Sequence, residues 1–162
     1  MIERFIILCG ILFGTLSIPS LFRNPSPKIW VPLYILNCVI NYCFDITLVK
    51  TNKVRYPVRL FPKFTKINIV YDFFVCPFLS VWFCQSTYQS KTLAIIGKLF
   101  LFSVPQGFYE ILLERKTKTL HFKENWKWCY SIFLVFVVKL LSKGMLAILK
   151  KAFPTTQKCL NT

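Results

Sequence analysis

The side chains of this chain that could do chemistry are Asn41, Asp45, Asn68, Asp72, Glu110, Glu114 and Lys139. Asn37, Asn41 and Asp45 recur every four residues, and Asn68 with Asp72 and Glu110 with Glu114 repeat that spacing. On a helix each set occupies one face. Carboxyls and amides gathered in this way inside apolar sequence should point at protein or water, where they can take up a proton or hold a cation. Lys139 stands in the run SIFLVFVVKLL. A lysine there must snorkel, meet a carboxylate or lose its proton.

The elements that must position these residues are five apolar blocks, roughly 5–22, 29–49, 67–88, 93–113 and 129–149. About 20 helical residues cross a ~30 Å hydrocarbon core. Apolar residues make up 55% of the chain, and the mean hydropathy is +0.52. The expected fold is therefore all-α, a polytopic transmembrane bundle of five helices in one domain over 1–154, with a short tail at 155–162. Four helices plus an interfacial fifth is the alternative. The length of 162 residues leaves no room for a soluble catalytic domain beside the helices.

The net charge is +15, from 21 Lys and Arg against 6 Asp and Glu. Because the basic residues cluster in connections beside apolar blocks, anionic lipid headgroups are the expected partners, not nucleic acid. Arg55, Arg59, Lys63, Lys66 and Arg115 are the candidate headgroup or ion-pair contacts. A membrane-protein partner or a second copy of the chain is also compatible. The 7 cysteines form no C-x-x-C pair, and the 1 histidine is His121, so no metal site and no cofactor are expected.

Local signals add detail. Gly10 and Gly14 form a G-x-x-x-G packing face. Trp30 suits an interfacial anchor, as do Trp126 and Trp128. Pro77 should kink the third helix, and Pro105 with Gly107 should break the fourth. Lys98 can snorkel outward. The basic connection KTNKVRYPVRLFPKFTK should lie along the headgroups. With five crossings, twelve Lys and Arg fall on the side of the N-terminus and the two long connections, against six on the other. The positive-inside rule then makes the N-terminus cytoplasmic in a multi-pass protein of the cytoplasmic membrane.

This orientation brings Asp45, Asp72, Glu110 and Glu114 to one depth. Either Arg55, Arg59 and Arg115 neutralise them and tie the connections to the bundle, or they form a proton or cation site. Gln106 and Ser103 lie at the depth of Lys139 and could solvate it. No nucleophile elbow, P-loop or H-E-x-x-H motif is present.

Three stretches carry a resemblance: KVRYPVRLFPKFTKINIVYDFFVCPFLSVWFCQSTYQSK, LFSVPQGFYEILLER and TLHFKENWKWCYS. Their marks are the YPVR-x-x-P-K segment, Asp72, and the turn with Gln85, Thr87, Tyr88, Ser90 and Lys91. The chain resembles a family of small uncharacterised multi-pass integral membrane proteins of spore-forming Gram-positive bacteria. The resemblance implies a helical membrane protein and assigns no activity, ligand or catalytic residue. Three functions are compatible with these observations. The first is a structural or regulatory membrane partner without assigned chemistry. The second is a small transporter or channel subunit using the acids and Lys139, and the third is an intramembrane lipid-modifying enzyme.

Overall fold

The computed structural model describes residues 2–23, 27–58, 60, 65–117, 119–123 and 127–153. The expectations for Arg59, Lys63, Trp126 and the tail at 155–162 lie outside these residues. Helix α1 (Ile2–Ser17) tightens into a 3-10 turn (Ile18–Phe22) at Pro19. Helices α2 (Pro27–Lys50), α4 (Thr92–Lys116) and α5 (Trp128–Ala152) are long and regular. Helix α3 (Cys76–Ser86) is preceded without a gap by a π-turn (Tyr71–Val75). The two long connections pair as an antiparallel ribbon, β1 (Val54–Arg55) with β2 (His121–Phe122).

The result is an all-α bundle. The segments Ile2–Phe22, Pro27–Lys50, Thr92–Lys116 and Trp128–Ala152 are long and apolar enough to cross a membrane. Large apolar side chains cover much of its surface, and polar ones are buried beside an apolar core. Phe5, Leu16, Leu93, Leu101, Phe133 and Ile148 are exposed, whereas Asn37, Asp72, Gln106, Lys139 and Ser142 are buried. An apolar outer surface with the polar groups drawn inside is the arrangement that hydrocarbon imposes.

Successive helices run antiparallel. Ile6 of α1 packs with Val54, Tyr56 and Leu120, so the chain start and the ribbon share one end. At the other end Gln85 Nε2 donates to the Ser20 carbonyl (2.7 Å) and Lys150 Nζ to the Tyr88 carbonyl (2.8 Å). The end of α5 therefore lies opposite the start of α1. Helix α5 packs against α2, α3 and α4 and buries Ser131, Val135, Lys139, Ser142 and Leu146. It is a full bundle member and not a peripheral helix.

Several local expectations change. Helix α4 runs unbroken through Pro105, and Gly107 serves close packing instead, since a Cβ there would sit 2.6 Å from Ile132 Cγ1. Trp30 is 1% exposed, with its indole N–H on the Arg23 carbonyl and its ring edge-on to Tyr88. Its donor is spent within the chain, so the ring packs inside the bundle and not on its surface. The basic connection folds inward at Val54 and Tyr56, which cap the helix ends beside Leu113 and Leu120.

Pro77 acts through what it lacks. It has no N–H for the Phe73 carbonyl one turn earlier, and the backbone widens there into the π-turn. The freed carbonyl accepts the Tyr34 hydroxyl at 2.5 Å, with Cys38 Sγ at 3.9 Å. The widened turn meets α1 at its glycines, where a Cβ on Gly14 would fall 2.6 Å from Phe74 Cβ. Gly14→Ala should therefore destabilise the bundle by about 1–3 kcal/mol through overpacking. Gly97→Ala, with nothing within 4 Å, should be neutral or stabilising by up to ~1 kcal/mol. Thermal unfolding of both variants in one detergent checks this, and equal destabilisation would refute the close packing of α1.

Candidate functional site

The acids converge. Asp45 stands near the end of α2, Asp72 in the π-turn and Glu110 in the last third of α4, so antiparallel alternation sets all three near the ribbon end. The Asp45 and Asp72 carboxyls are in contact. Two of the arginines expected to neutralise them do not do so. Arg55 and Arg115 are exposed, and no ion pair joins either to Asp45, Asp72 or Glu110 among the described residues. Tyrosines take that place. The Tyr56 hydroxyl donates to Asp45 Oδ2 at 2.6 Å, and the Tyr71 hydroxyl to Glu110 Oε1 at 2.7 Å. A tyrosine satisfies an acceptor without bringing a full positive charge, so it leaves the carboxyl free to change protonation.

Tyr56 reaches Asp45 because β1 pairs with β2 and turns the connection back over the helix ends. Burial, then the charge of Asp45 and Asp72, pushes its hydroxyl well above the usual tyrosine range. It thus remains a donor at any physiological pH. Asp45, Tyr56, Asn68, Tyr71, Glu110 and Ser131 contribute to the wall of a cavity of about 40 Å³. A water needs roughly 10–15 Å³ measured in this way, so the space suits two or three waters and no organic substrate.

Asp72 is 2% exposed, and its Oδ2 has no hydrogen-bond partner among the described residues. Deeper in the bundle, Lys139 Nζ donates to Gln106 Oε1 at 2.6 Å, and Gln106 Nε2 to Cys76 Sγ at 3.4 Å. Glu110 with Tyr71 and Lys139 with Gln106 and Cys76 therefore form two hydrogen-bonded groups at neighbouring depths. One helical turn further along α5, the Ser142 hydroxyl donates to Asn37 Oδ1.

The remaining candidates divide. Asn41 is buried with its amide on the Asn37 carbonyl, and Asn68 Oδ1 accepts the Tyr71 N–H at 3.5 Å. Glu114 is half-buried and absent from the cavity wall. Ser103, a candidate to help solvate Lys139, is buried with a hydroxyl that has no partner among the described residues. His121 is exposed on β2 and does not line the cavity. Among the described residues no cluster of histidine, cysteine and acid suits a metal. Tyr56, Tyr71 and Ser131 are not legible as site residues in the sequence, since an aromatic or serine in an apolar run reads as packing.

No family model, curated protein or solved structure matches the chain. The geometry of the site is thus the basis for its function.

Lys139 and Gln106 should be unequal in their tolerance of substitution. Gln106→Leu leaves a buried ammonium without its acceptor and should cost on the order of 3–5 kcal/mol. Lys139→Met removes the charge with the stem volume kept and leaves only an amide oxygen to satisfy, costing roughly 1–3 kcal/mol. Denaturant titration of the two variants gives the order, and a costlier Lys139→Met would contradict the pairing.

Proposed function

We propose that this is a multi-pass protein of the cytoplasmic membrane that moves protons through its bundle, as a small transporter or channel subunit. The observation that carries the reading is the contact of Asp45 and Glu110 with tyrosine hydroxyls around a water-sized cavity, with Asp72 against Asp45 and without arginine counter-charges among the described residues. Charged groups inside a membrane bundle are costly and mark ion or proton paths. The groups here divide by accessibility, with Asp45 and Glu110 partly exposed and Asp72 and Lys139 buried. A proton arriving at the cavity is taken up by Asp45 or Glu110, whose tyrosine partners serve the charged and the neutral carboxyl alike. The cavity of about 40 Å³ has room for water with a proton or a small cation and not for an organic solute.

In the orientation that the basic residues favour, the ribbon end and the N-terminus face the cytoplasm. Exposed Arg55, Lys66 and Arg115 would meet anionic headgroups there. With five crossings the C-terminus is outside. Reporter fusions should then be active on the cytoplasmic side at the N-terminus and on the outer side at the C-terminus. Signals on one side from both would remove one crossing.

Transport is tested with the full chain reconstituted in liposomes that hold a pH-sensitive dye under an imposed potassium diffusion potential. The wild type should acidify or alkalise the lumen faster than empty liposomes. Glu110→Gln and Asp72→Asn should each lose at least ~90% of that flux, since a carboxyl is the only proton carrier at either position. Reconstitution yield, measured alongside, separates lost flux from lost protein. Absence of flux in the wild type would reject the proton path.

A further inference from the structure

The end opposite the ribbon carries a cluster that the acid site does not use. Lys98 of α4 and Lys143 and Lys150 of α5 all converge on the C-terminus of α3. Lys98 Nζ donates to the Ser86 carbonyl and to Ser90 Oγ, the latter at 2.9 Å. Lys143 Nζ donates to the Thr87 carbonyl at 2.6 Å and to Thr87 Oγ1 at 3.0 Å. Lys150 Nζ donates to the Tyr88 carbonyl at 2.8 Å and stands 3.5 Å from the centre of the Tyr88 ring. The sequence suggests that Lys98 snorkels outward. Instead it joins two lysines from another helix.

The carbonyls account for the convergence but not for the charge. A helix C-terminus offers roughly half a negative charge, against three ammonium groups. The described acids do not help, since Glu3, Asp45, Asp72, Glu110 and Glu114 all belong to the ribbon half of the bundle. Each ammonium also has three donors, and the bonds to these carbonyls and hydroxyls engage at most two of them. Unspent donors and an excess of positive charge meet beside exposed Leu93 and Ile148, on an apolar surface.

We infer that Lys98, Lys143 and Lys150 bind the phosphate group of an anionic phospholipid at the bundle end opposite the ribbon. The phosphate takes the donors that the α3 carbonyls leave free, and its acyl chains lie along the apolar flanks of α4 and α5. Lys150 sits in the last turn of α5 and Lys98 and Lys143 within two to three turns of their helix ends, a depth of headgroup contact for side chains of this length. The inference rests on the membrane reading and is independent of proton movement.

The test uses the full chain in neutral detergent with a short-chain fluorescent phosphatidylglycerol as probe. The wild type should show a tight phase, absent with the phosphatidylcholine analogue. At about 1 kcal/mol per lysine, the triple variant Lys98→Gln, Lys143→Gln, Lys150→Gln should weaken that phase on the order of a hundredfold. Each single variant should weaken it by roughly fivefold, which keeps the test decisive if the triple variant does not fold. Lys143→Arg should retain binding, and Lys50→Gln at the ribbon end should leave it unchanged. Displacement of the probe by millimolar inorganic phosphate alone would overturn the lipid assignment and give the same lysines to a soluble phosphate. Equal tight binding by wild type and the glutamine variants would overturn the site.

Discussion

Polar groups inside this bundle must find their partners within the chain, because the surrounding surface is hydrocarbon-like, and among the described residues the buried side-chain atoms that find none are Asp72 Oδ2, Ser103 Oγ and Thr119 Oγ1. That constraint fixes the architecture more firmly than apolar packing does, since lipid tails solvate leucine as well as a neighbouring helix would. A satisfied hydrogen bond between membrane helices contributes only about 0.6 kcal/mol on average. An unsatisfied group costs several. The network therefore acts by exclusion, as rotations of α2, α3 or α5 that orphan Asn37, the Phe73 carbonyl or Lys139 are removed. Tyr34 on Phe73, Ser142 on Asn37 and Gln106 on Lys139 each tie a different pair of helices. Together they hold α2, α3, α4 and α5 in one register.

Lengths and alternation were legible from the apolar runs, and the meeting of Asp45, Asp72 and Glu110 came from depth alone. The same depth count puts both Gln106 and Ser103 near Lys139, of which Gln106 bonds to it, and the G-x-x-x-G face lies against the π-turn. Partner identity was not legible. Depth says which residues share a layer, but rotation about each helix axis decides which touch. A π-turn inserts one residue into its helix, which rotates the residues beyond it by about 100°. No period in the residues before Pro77 announces that insertion. Tyr71 and its contact with Glu110 belong to this class.

The connections misled for another reason. Val54 and Tyr56 stand among basic residues, so composition places them at headgroups. Two-residue strands have no periodicity to detect, and β1 needs β2, some 65 residues away, to form. Trp30 and Pro105 show the same limit from the other direction. An indole reads as an anchor until a carbonyl is brought within 3.0 Å of it. A proline reads as a break until neighbouring helices hold the chain straight.

The choice of tyrosine over arginine beside the carboxyls bears on what such a site can do. An arginine contact holds a carboxylate in its charged form and resists exchange, because removing the charge strands the guanidinium. A tyrosine hydroxyl donates to the charged carboxylate, yet it can rotate to accept from the protonated form. The two protonation states of Asp45 and Glu110 can thus be served by the same neighbours with a change of hydroxyl rotor and no movement of a helix. Twenty-one basic residues were available to the chain, and the described arginines nearest in sequence, Arg55 and Arg115, are exposed beside the site. A bundle built only to persist would gain from closing those pairs. Leaving them open suits a site whose charge can alternate, and the proton movement proposed for it would call on the hydroxyls of Tyr56 and Tyr71 as much as on the acids they touch.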